Sequence, residues 1–187
     1  MLEFDNYMSP GRRGHLVGIG GVSMSSLAEV LVGMGLNITG SDMNEANPNV
    51  ISLREKGIKV FIGHHAENIG EDVEFVVRTA AVHDENPEIV RAHELGIPVF
   101  ERTQAWGAIS KDYSNALCIS GTHGKTTTTS MCTHILMAAE KDPTVMIGGR
   151  CSRRGTASAT GTPSSWRPAS IITPSSPSTP PSPSSSI

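Results

Sequence analysis

The chain has 187 residues, of which 37% are hydrophobic and 18% charged, and its formal net charge is −3. This length holds one full domain and part of another. The small negative charge gives no footprint for binding nucleic acid or an anionic membrane. No apolar run approaches the roughly 18 residues of a membrane span and no signal peptide is recognisable, which predicts a cytoplasmic protein. The three cysteines form no CxxC pair, so neither a zinc site nor a disulfide framework is predicted.

Residues 1–110 alternate short β-rich runs with helical patterns, which predicts a parallel-sheet, Rossmann-like α/β domain. Gly35 is the predicted stop of the first helix, and Asn86 before Pro87 is the predicted N-cap of the third. Helices are predicted over 23–35, 47–57 and 87–96. Strands are predicted over 15–21, where the strand runs into a glycine turn, and over 37–42, 58–63, 73–82 and 97–102.

A second α/β domain is predicted to begin after a seam at 110–115, so residues 111–149 form its first part. Its predicted elements are a strand over 116–120, a helix over 125–140 and a strand over 144–149. Residues 150–187 contain no Asp, Glu or Lys, and 19 of these 38 residues are Ser or Pro, which predicts a disordered tail. Two origins for this segment are open: a natural tail, or the out-of-frame translation of a coding region after codon 149.

The stretch "ISGTHGKTTTTSM" (119–131) places a glycine-rich turn between a predicted strand and a predicted helix. Backbone N–H groups and the helix dipole at such a turn attract phosphate. Lys125 can reach the β- and γ-phosphates of a nucleoside triphosphate, and the Thr126 hydroxyl can ligate Mg²⁺. Ile119 stands where the general GxxxxGK[ST] pattern has its first glycine, so a surface turn with a solvated lysine is the alternative. The predicted ATP-binding residues are Gly121, Thr122, His123, Gly124, Lys125, Thr126 and Thr127.

The stretch "GIGGVS" (18–23) follows the first predicted strand and opens the first helix, as a dinucleotide-binding turn does. Ser23 replaces the third glycine of the GxGxxG pattern, so the match is partial. Asp42 lies at the end of the second predicted strand, where an acid can bind ribose hydroxyls. The turn can serve a nicotinamide dinucleotide, a uridine diphosphate group, or strand–helix packing alone.

The chain resembles the Mur ligases in both turns and in their spacing. The matching stretches are "HLVGIGGVSMSSLAEVL" near the start, "GSD" at 40–42, "TAAV" at 79–82, "NPE" at 86–88 and "GTHGKTTTT" at 121–129. The resemblance implies a cytoplasmic ATP-dependent ligase of peptidoglycan precursor synthesis, whose first domain holds the UDP part of its substrate. The residues implied near that nucleotide are Gly18, Gly20, Gly21, Val22, Ser23 and Asp42.

Within this family, the histidine in the GTHGKT loop resembles both the alanine-adding and the murein-peptide ligases, and the turn "GIGGVSM" (18–24) favours the former. The resemblance therefore implies UDP-N-acetylmuramate and L-alanine as the substrates. The implied reaction transfers the γ-phosphoryl group of ATP to a carboxylate, and the amine of L-alanine then displaces phosphate from the acyl phosphate. Lys125 would be the catalytic residue, since it and Mg²⁺ neutralise charge on the transferred group. The family continues with an acidic segment and a C-terminal domain, and this sequence has no acid after Asp142. We therefore expect the 187-residue chain to be an incomplete and inactive fragment.

Two other functions remain open from the residues: a non-catalytic nucleotide-binding module and a nicotinamide-dependent oxidoreductase. Nothing in an oxidoreductase requires the GTHGKTTTT loop, which favours the ligase. His64 and His65 follow a predicted strand and are interpreted as solvated loop residues. His123 is predicted to orient the phosphate loop or to contact the nucleotide.

Overall fold

A computed structural model describes residues 3–111, 116–141, 143–147, 150–153 and 170–172. Single 3₁₀ turns lie at Phe4–Tyr7 and Ala66–Asn68. The regular elements of the first part, in chain order, are β1 (Arg13–Val17), α1 (Val22–Gly33), β2 (Asn37–Asp42), α2 (Pro48–Glu55), β3 (Lys59–Ile62), β4 (Phe75–Arg78), α3 (Pro87–Glu94), β5 (Val99–Glu101) and α4 (Arg102–Lys111).

Strands β1 to β5 form a parallel sheet in the order β3-β2-β1-β4-β5. The chain builds outward from β1 through β2 to β3, and then crosses back to place β4 on the other side of β1. The direction of winding therefore reverses between β1 and β4, and open α/β sheets bind ligands in the crevice at that point. This arrangement confirms the predicted Rossmann-like α/β architecture.

Helices α2 and α3 begin with the same local device. The side chains of Asn47 and Asn86 accept hydrogen bonds from main-chain N–H groups two residues on, and each is followed by a proline at the first helical position. The predicted N-cap at Asn86 is confirmed. Gly35, with φ of +90°, directly follows the C-cap of α1, where the sequence predicted a stop. These caps fix where each helix leaves the sheet.

The core lies on both faces of this sheet. Leu16 and Phe75 belong to the larger cluster, which α1, α2 and α4 cover, and Val17 and Val76 to the smaller one, which α3 covers. Since neighbouring residues in a strand point to opposite faces, both faces of β1 and β4 are buried, as in a sheet with helices on each side. Polar side chains that point inward from these strands must therefore find partners inside the protein.

The second sheet contains β6 (Ala116–Cys118), β7 (Thr144–Ile147), β8 (Arg150–Arg153) and β9 (Ser170–Ile172), in the order β6-β9-β7-β8. Helix α5 (Lys125–Ala138) follows β6, as predicted. Residues 150–153 and 170–172 are strands, although the sequence predicted disorder over 150–187. They gain order by pairing, with β8 antiparallel to β7 and β9 parallel to β6 and β7. The rest of the predicted tail lies outside the described residues.

The strands predicted over 73–82 and 97–102 are at most half as long in the structure. β4 ends at Arg78, because the chain turns over 79–82 with the Val82 N–H donating to the Thr79 carbonyl. β5 is three residues long, and α4 starts directly at Arg102. Most of the predicted seam, at 112–115, lies outside the described residues, and the boundary between 110 and 111 stays a prediction.

Candidate nucleotide-binding sites

The glycine turn after β1 is tied to the end of β2 by three consecutive amides. The N–H groups of Gly18 and Ile19 both donate to the Ser41 carbonyl, at 2.9 Å each. The Gly20 N–H donates to Asp42 Oδ2 at 2.9 Å. The backbone of the turn is therefore fixed from the side of β2, before any ligand arrives.

The next two free amides of this turn lie at the start of α1. Gly21 is the N-cap and provides no side-chain cap, while the N–H groups of Val22 and Ser23 have no hydrogen-bond partner among the described residues. Val22 is exposed. The Ser23 hydroxyl accepts from Trp106 Nε1 at 3.2 Å, which leaves its own proton free to donate. These donors at a helix N-terminus suit a phosphate oxygen.

Asp42, predicted to bind ribose, has both carboxylate oxygens engaged with the main chain. Oδ2 accepts from Gly20 N–H, and Oδ1 accepts from Asn44 N–H at 3.0 Å. In the structure, the Asp42 carboxylate therefore stabilises the backbone of the turn. Each carboxylate oxygen can accept a second bond, so the half-buried Asp42 remains compatible with a ribose hydroxyl.

A cleft of about 580 Å³ lies at the carboxyl ends of β4 and β5. Arg78 is its main cation and is already paired with Asp84 and with Glu101, the latter at 2.9 Å. The hydrogen bond that Arg78 donates to Asp84, with the one that it donates to Glu101, raises the pKa of the guanidinium despite partial desolvation. Acids therefore outnumber free cations in this cleft, which suits sugar hydroxyls better than phosphate. The cleft is lined by Arg78, Ala80, Val82, His83, Asp84, Glu85 and Glu101.

The predicted phosphate-binding loop, residues 121–124, lies between β6 and α5, and Gly124 is the N-cap of the helix. The Gly124 backbone is left-handed, with φ of +77° and ψ of −4°, and glycine has no side chain that could cap the first N–H groups of the helix. A β-carbon at Gly124 would meet no atom within 4 Å, so the glycine is needed for its backbone angle and leaves open space above the helix end. First-turn donors of α5 are therefore available to an anion.

Lys125 folds back over its own loop. Its ammonium donates to the carbonyl of Gly121 and, at 3.2 Å, to that of Thr122. The side chains of Thr126 and Thr127 are exposed at the helix start, as a magnesium-ligating or phosphate-binding hydroxyl must be. His123 is also exposed and makes no hydrogen bond within the described part of the chain, so its predicted orienting role stays a prediction. The residues present fit a triphosphate and a magnesium ion.

The structure brings the predicted residues together in two groups, one after the first strand of each sheet. Gly18, Gly20, Gly21, Val22 and Ser23 gather with Asp42 at the first, and residues 121–127 form the second. Thr129, which the sequence analysis did not single out, is buried and donates to the Lys125 carbonyl at 2.8 Å. It fixes the first turn of α5 from behind.

Sequence reasoning missed a buried polar cluster below the first site. It consists of His15, Ser41, His64, Asn68 and Glu88, and the first and last of these are completely buried. The interpretation of His64 as a solvated residue was wrong, because its side chain is 18% exposed and contacts Glu88. The available signal was His15, a polar residue that directly precedes the apolar run Leu16–Val17 of a buried strand.

No group of three or more metal-ligating side chains is found among the described residues. Cys118 and Cys132 are free thiols. Within the same part of the chain, the helices are all too short or too polar to cross a bilayer.

Comparison with known proteins identifies a family and relatives that share this architecture. The model of the Mur ligase family, catalytic domain, matches residues 13–114. The UDP-N-acetylmuramate–L-alanine ligase of Clostridium botulinum (strain Langeland) is 45% identical over 148 residues, which are 79% of this chain and 32% of that protein. The UDP-N-acetylmuramate–alanine ligase of Thermotoga maritima has a TM-score of 0.68 and 38% identity, over 73% of this chain and 31% of that one.

The UDP-N-acetylmuramate:L-alanyl-γ-D-glutamyl-meso-diaminopimelate ligase of Neisseria meningitides has a TM-score of 0.74 and 28% identity, covering 87% of this chain and 52% of that one. The chain thus spans about a third of the length of the alanine-adding relatives that it matches. The family match covers more than half of the chain and spans the five strands of the first sheet and the turn after β1. The chain belongs to the Mur ligase family.

Proposed function

We propose that this chain carries the UDP-N-acetylmuramate nucleotide site and the Mg-ATP loop of a cytoplasmic ligase that joins L-alanine to UDP-N-acetylmuramate. The proposal is supported by relatives of that name at 45% identity and by the two turns described above. The chain spans 32% of such a relative, and the part of the reaction assigned to the residues described above is the binding of the two nucleotides. Peptidoglycan precursor synthesis is the process it serves.

The observation that carries the proposal is the pair of free amides at the start of α1. The N–H groups of Val22 and Ser23 stand next to the crevice between β1 and β4, where the parallel sheet changes direction. A diphosphate offers oxygens that such amides bind through charge-assisted hydrogen bonds. The acid-rich cleft beside it suits the hydroxyl groups of the attached sugar.

In the second site, Lys125 would exchange its loop carbonyls for the β- and γ-phosphates of ATP, and the Thr126 hydroxyl would ligate magnesium. Magnesium would supply positive charge that offsets the charge on the phosphoryl group during its transfer to the substrate carboxylate. Lys125 holds the phosphates by its ammonium, and the first-turn amides of α5 orient them. A polypeptide of these 187 residues is expected to bind both nucleotides without turnover, since no acid follows Asp142.

The sharpest test deletes one amide without changing the helix. Pro is favoured at the first helical position, and Gly21 already has the extended conformation, with ψ of 141°, that a residue before proline prefers. Val22→Pro therefore removes one free N–H at an exposed position, and Val22→Ala is the matched control that keeps it. Since a hydrogen bond to a charged group contributes about 1.5–3 kcal/mol, UDP affinity should fall roughly ten- to hundredfold in V22P and stay unchanged in V22A.

The measurement is isothermal titration of the 187-residue protein with UDP, Mg-ATP and NAD in separate experiments. We expect binding of UDP and Mg-ATP and none of NAD. Tight binding of NAD with none of UDP would favour the oxidoreductase instead. Equal UDP affinity in wild type and V22P would show that the α1 terminus is not the diphosphate site.

A further inference from the structure

Glu88 is completely buried, and four side chains converge on its carboxylate. The Ser41 hydroxyl donates to Oε2 at 2.6 Å, and His64 Nδ1 lies 3.1 Å from the same oxygen. Asn68 Nδ2 donates to Oε1 at 2.6 Å, and His15 Nε2 lies 3.5 Å from it. Two groups thus face each carboxylate oxygen, but the His15 Nε2 contact is longer than a hydrogen bond, and this buried nitrogen has no hydrogen-bond partner among the described residues.

The partners of His15 are compatible with one tautomer of its ring. His15 Nδ1 lies 2.9 Å from Thr39 Oγ1, so it can accept the threonine proton while Nε2–H faces Glu88. Burial raises the pKa of Glu88, but His15, Ser41 and Asn68 together outweigh burial and hold the pKa below its ordinary value of 4.5. Glu88 is therefore an acceptor on both oxygens at neutral pH.

The same cluster holds the strand end that braces the glycine turn. Ser41, bound to Glu88 by its hydroxyl, accepts the Gly18 and Ile19 amides with its carbonyl. Asn68 also donates to the Gly63 carbonyl at 3.0 Å, and Gly63 N–H donates to the Asp42 carbonyl at 2.9 Å. Glu88 thus reaches Ser41 directly and Asp42 through two further hydrogen bonds.

We propose that Glu88 is a positioning residue for the diphosphate site, acting through Ser41 and Asp42 on the amides of Gly18, Ile19 and Gly20. With those three amides bound to β2 and the Gly21 N–H donating to the Gly18 carbonyl at 3.2 Å, the turn presents the amides of Val22 and Ser23 to a ligand. This inference rests on the proposed UDP site. It assigns to α3, on the opposite face of the sheet from α1, a part in shaping that site.

Glu88→Gln is the discriminating variant because it keeps the shape and reverses half of the chemistry. The glutamine amide has one oxygen to accept and an NH₂ group that would face two existing donors. One pair of partners must therefore turn away, and Ser41 or Asn68 loses its anchor. Glu94→Gln is the matched control, since Glu94 lies on the same helix, is exposed and pairs with Arg91 at the surface.

UDP affinity and amide hydrogen exchange are measured on the full chain for wild type, E88Q and E94Q. We expect E88Q to bind UDP at least about tenfold more weakly, equivalent to roughly 1.4 kcal/mol. Exchange should accelerate at Gly18, Ile19 and Gly20 but not in α4, while E94Q should match wild type in both measurements. If E88Q is merely less stable, with wild-type UDP affinity and unchanged exchange in the turn, the positioning role is refuted.

Ser41→Ala provides a second route if E88Q does not fold. It removes only the hydroxyl and leaves the carbonyl that accepts the Gly18 and Ile19 amides. Faster exchange at these two amides, with weaker UDP binding, supports the proposal, and wild-type behaviour in both contradicts it. A wild-type protein that fails to bind UDP would refute the proposed function instead, and the exchange data would still decide the role of Glu88 within the fold.

Discussion

Gly20 has no room for a side chain, and this gives a prediction about stability that the structure quantifies. Gly20 lies outside the left-handed region, so backbone strain is not the issue. A β-carbon there would lie 2.7 Å from Asp42 Oδ2 and 2.8 Å from Asn47 Nδ2. Both atoms currently bond to Gly20, since Asp42 accepts its N–H and Asn47 donates to its carbonyl at 3.1 Å.

Gly20→Ala must therefore displace both side chains. The bond to the Asp42 carboxylate is worth about 1.5–3 kcal/mol and the bond from Asn47 about 0.5–1.5 kcal/mol. We expect the free energy of unfolding to fall by roughly 2–4 kcal/mol, with a parallel loss of UDP affinity because the turn moves. Gly107→Ala is the control, since Gly107 lies inside α4 with no atom within 4 Å of a built β-carbon. It should gain about 0.5–1 kcal/mol from helix propensity.

The assay is equilibrium urea unfolding followed by circular dichroism and tryptophan fluorescence. A Trp166→Phe background leaves Trp106, which bonds to Ser23 beside the turn, as the only tryptophan. A G20A protein within 0.5 kcal/mol of its parent, on the scale of ordinary surface substitutions, would refute the idea that Asp42 and Asn47 close tightly around this glycine.

Lowering the pH below about 4.5 should destabilise the fold, because the Glu88 pKa is lowered in the folded state and the unfolded chain therefore binds the proton first. In urea titrations across pH, the slope of the unfolding free energy against pH should be shallower in E88Q than in wild type. The slope should not vanish, since the backbone N–H of Arg13 and the side chain of Arg12 also lower the pKa of Glu74. Lys125→Ala should weaken Mg-ATP binding about ten- to hundredfold by titration and leave UDP binding unchanged, whereas a similar loss in the exposed control Lys141→Ala would argue for a non-specific charge effect. Asn86→Ala should cost about 1 kcal/mol of unfolding free energy, because its side chain caps α3, and a thermal melt that matches wild type would contradict that role.

The sequence predicts the succession of strands and helices along the first domain because most of them carry a local signal. The Asn-Pro pairs before α2 and α3 and the glycines that end the helices act within a few residues. The ends of β4 and β5 were mispredicted because they are set by tertiary packing around the crevice at the carboxyl ends of these strands, and not by a local sequence signal. Thr79 and Val82 continue a β-rich run in the sequence, yet in the structure the chain turns there. The turn passes close to Gly18, since a β-carbon built at Gly18 would lie 3.0 Å from Thr79 Cγ2.

The candidate sites divide in the same way. Gly18 to Ser23 and Gly121 to Thr127 are contiguous stretches, so their chemistry is readable in the sequence. The Glu88 cluster draws on β1, β2, α3 and the segment after β3, and its members are far apart in the chain. Only the parallel register, which sets His15 opposite Thr39, brings them together. No local pattern distinguishes such a buried glutamate from a solvated one in the first turn of a helix.

The two proposed nucleotide sites differ in their unliganded state, because their hydrogen-bond donors have different partners. In the first turn, three amides are bound to Ser41 and Asp42, and the amides left free need no rearrangement to meet a diphosphate. In the second, the Lys125 ammonium is bound to the carbonyls of its own loop and must leave them before it can bind a triphosphate. Preorganised groups lose less free energy on binding than groups that first break internal contacts. The buried cluster around Glu88 therefore lies beneath the first of these sites, the one whose amides are held in place before a ligand binds.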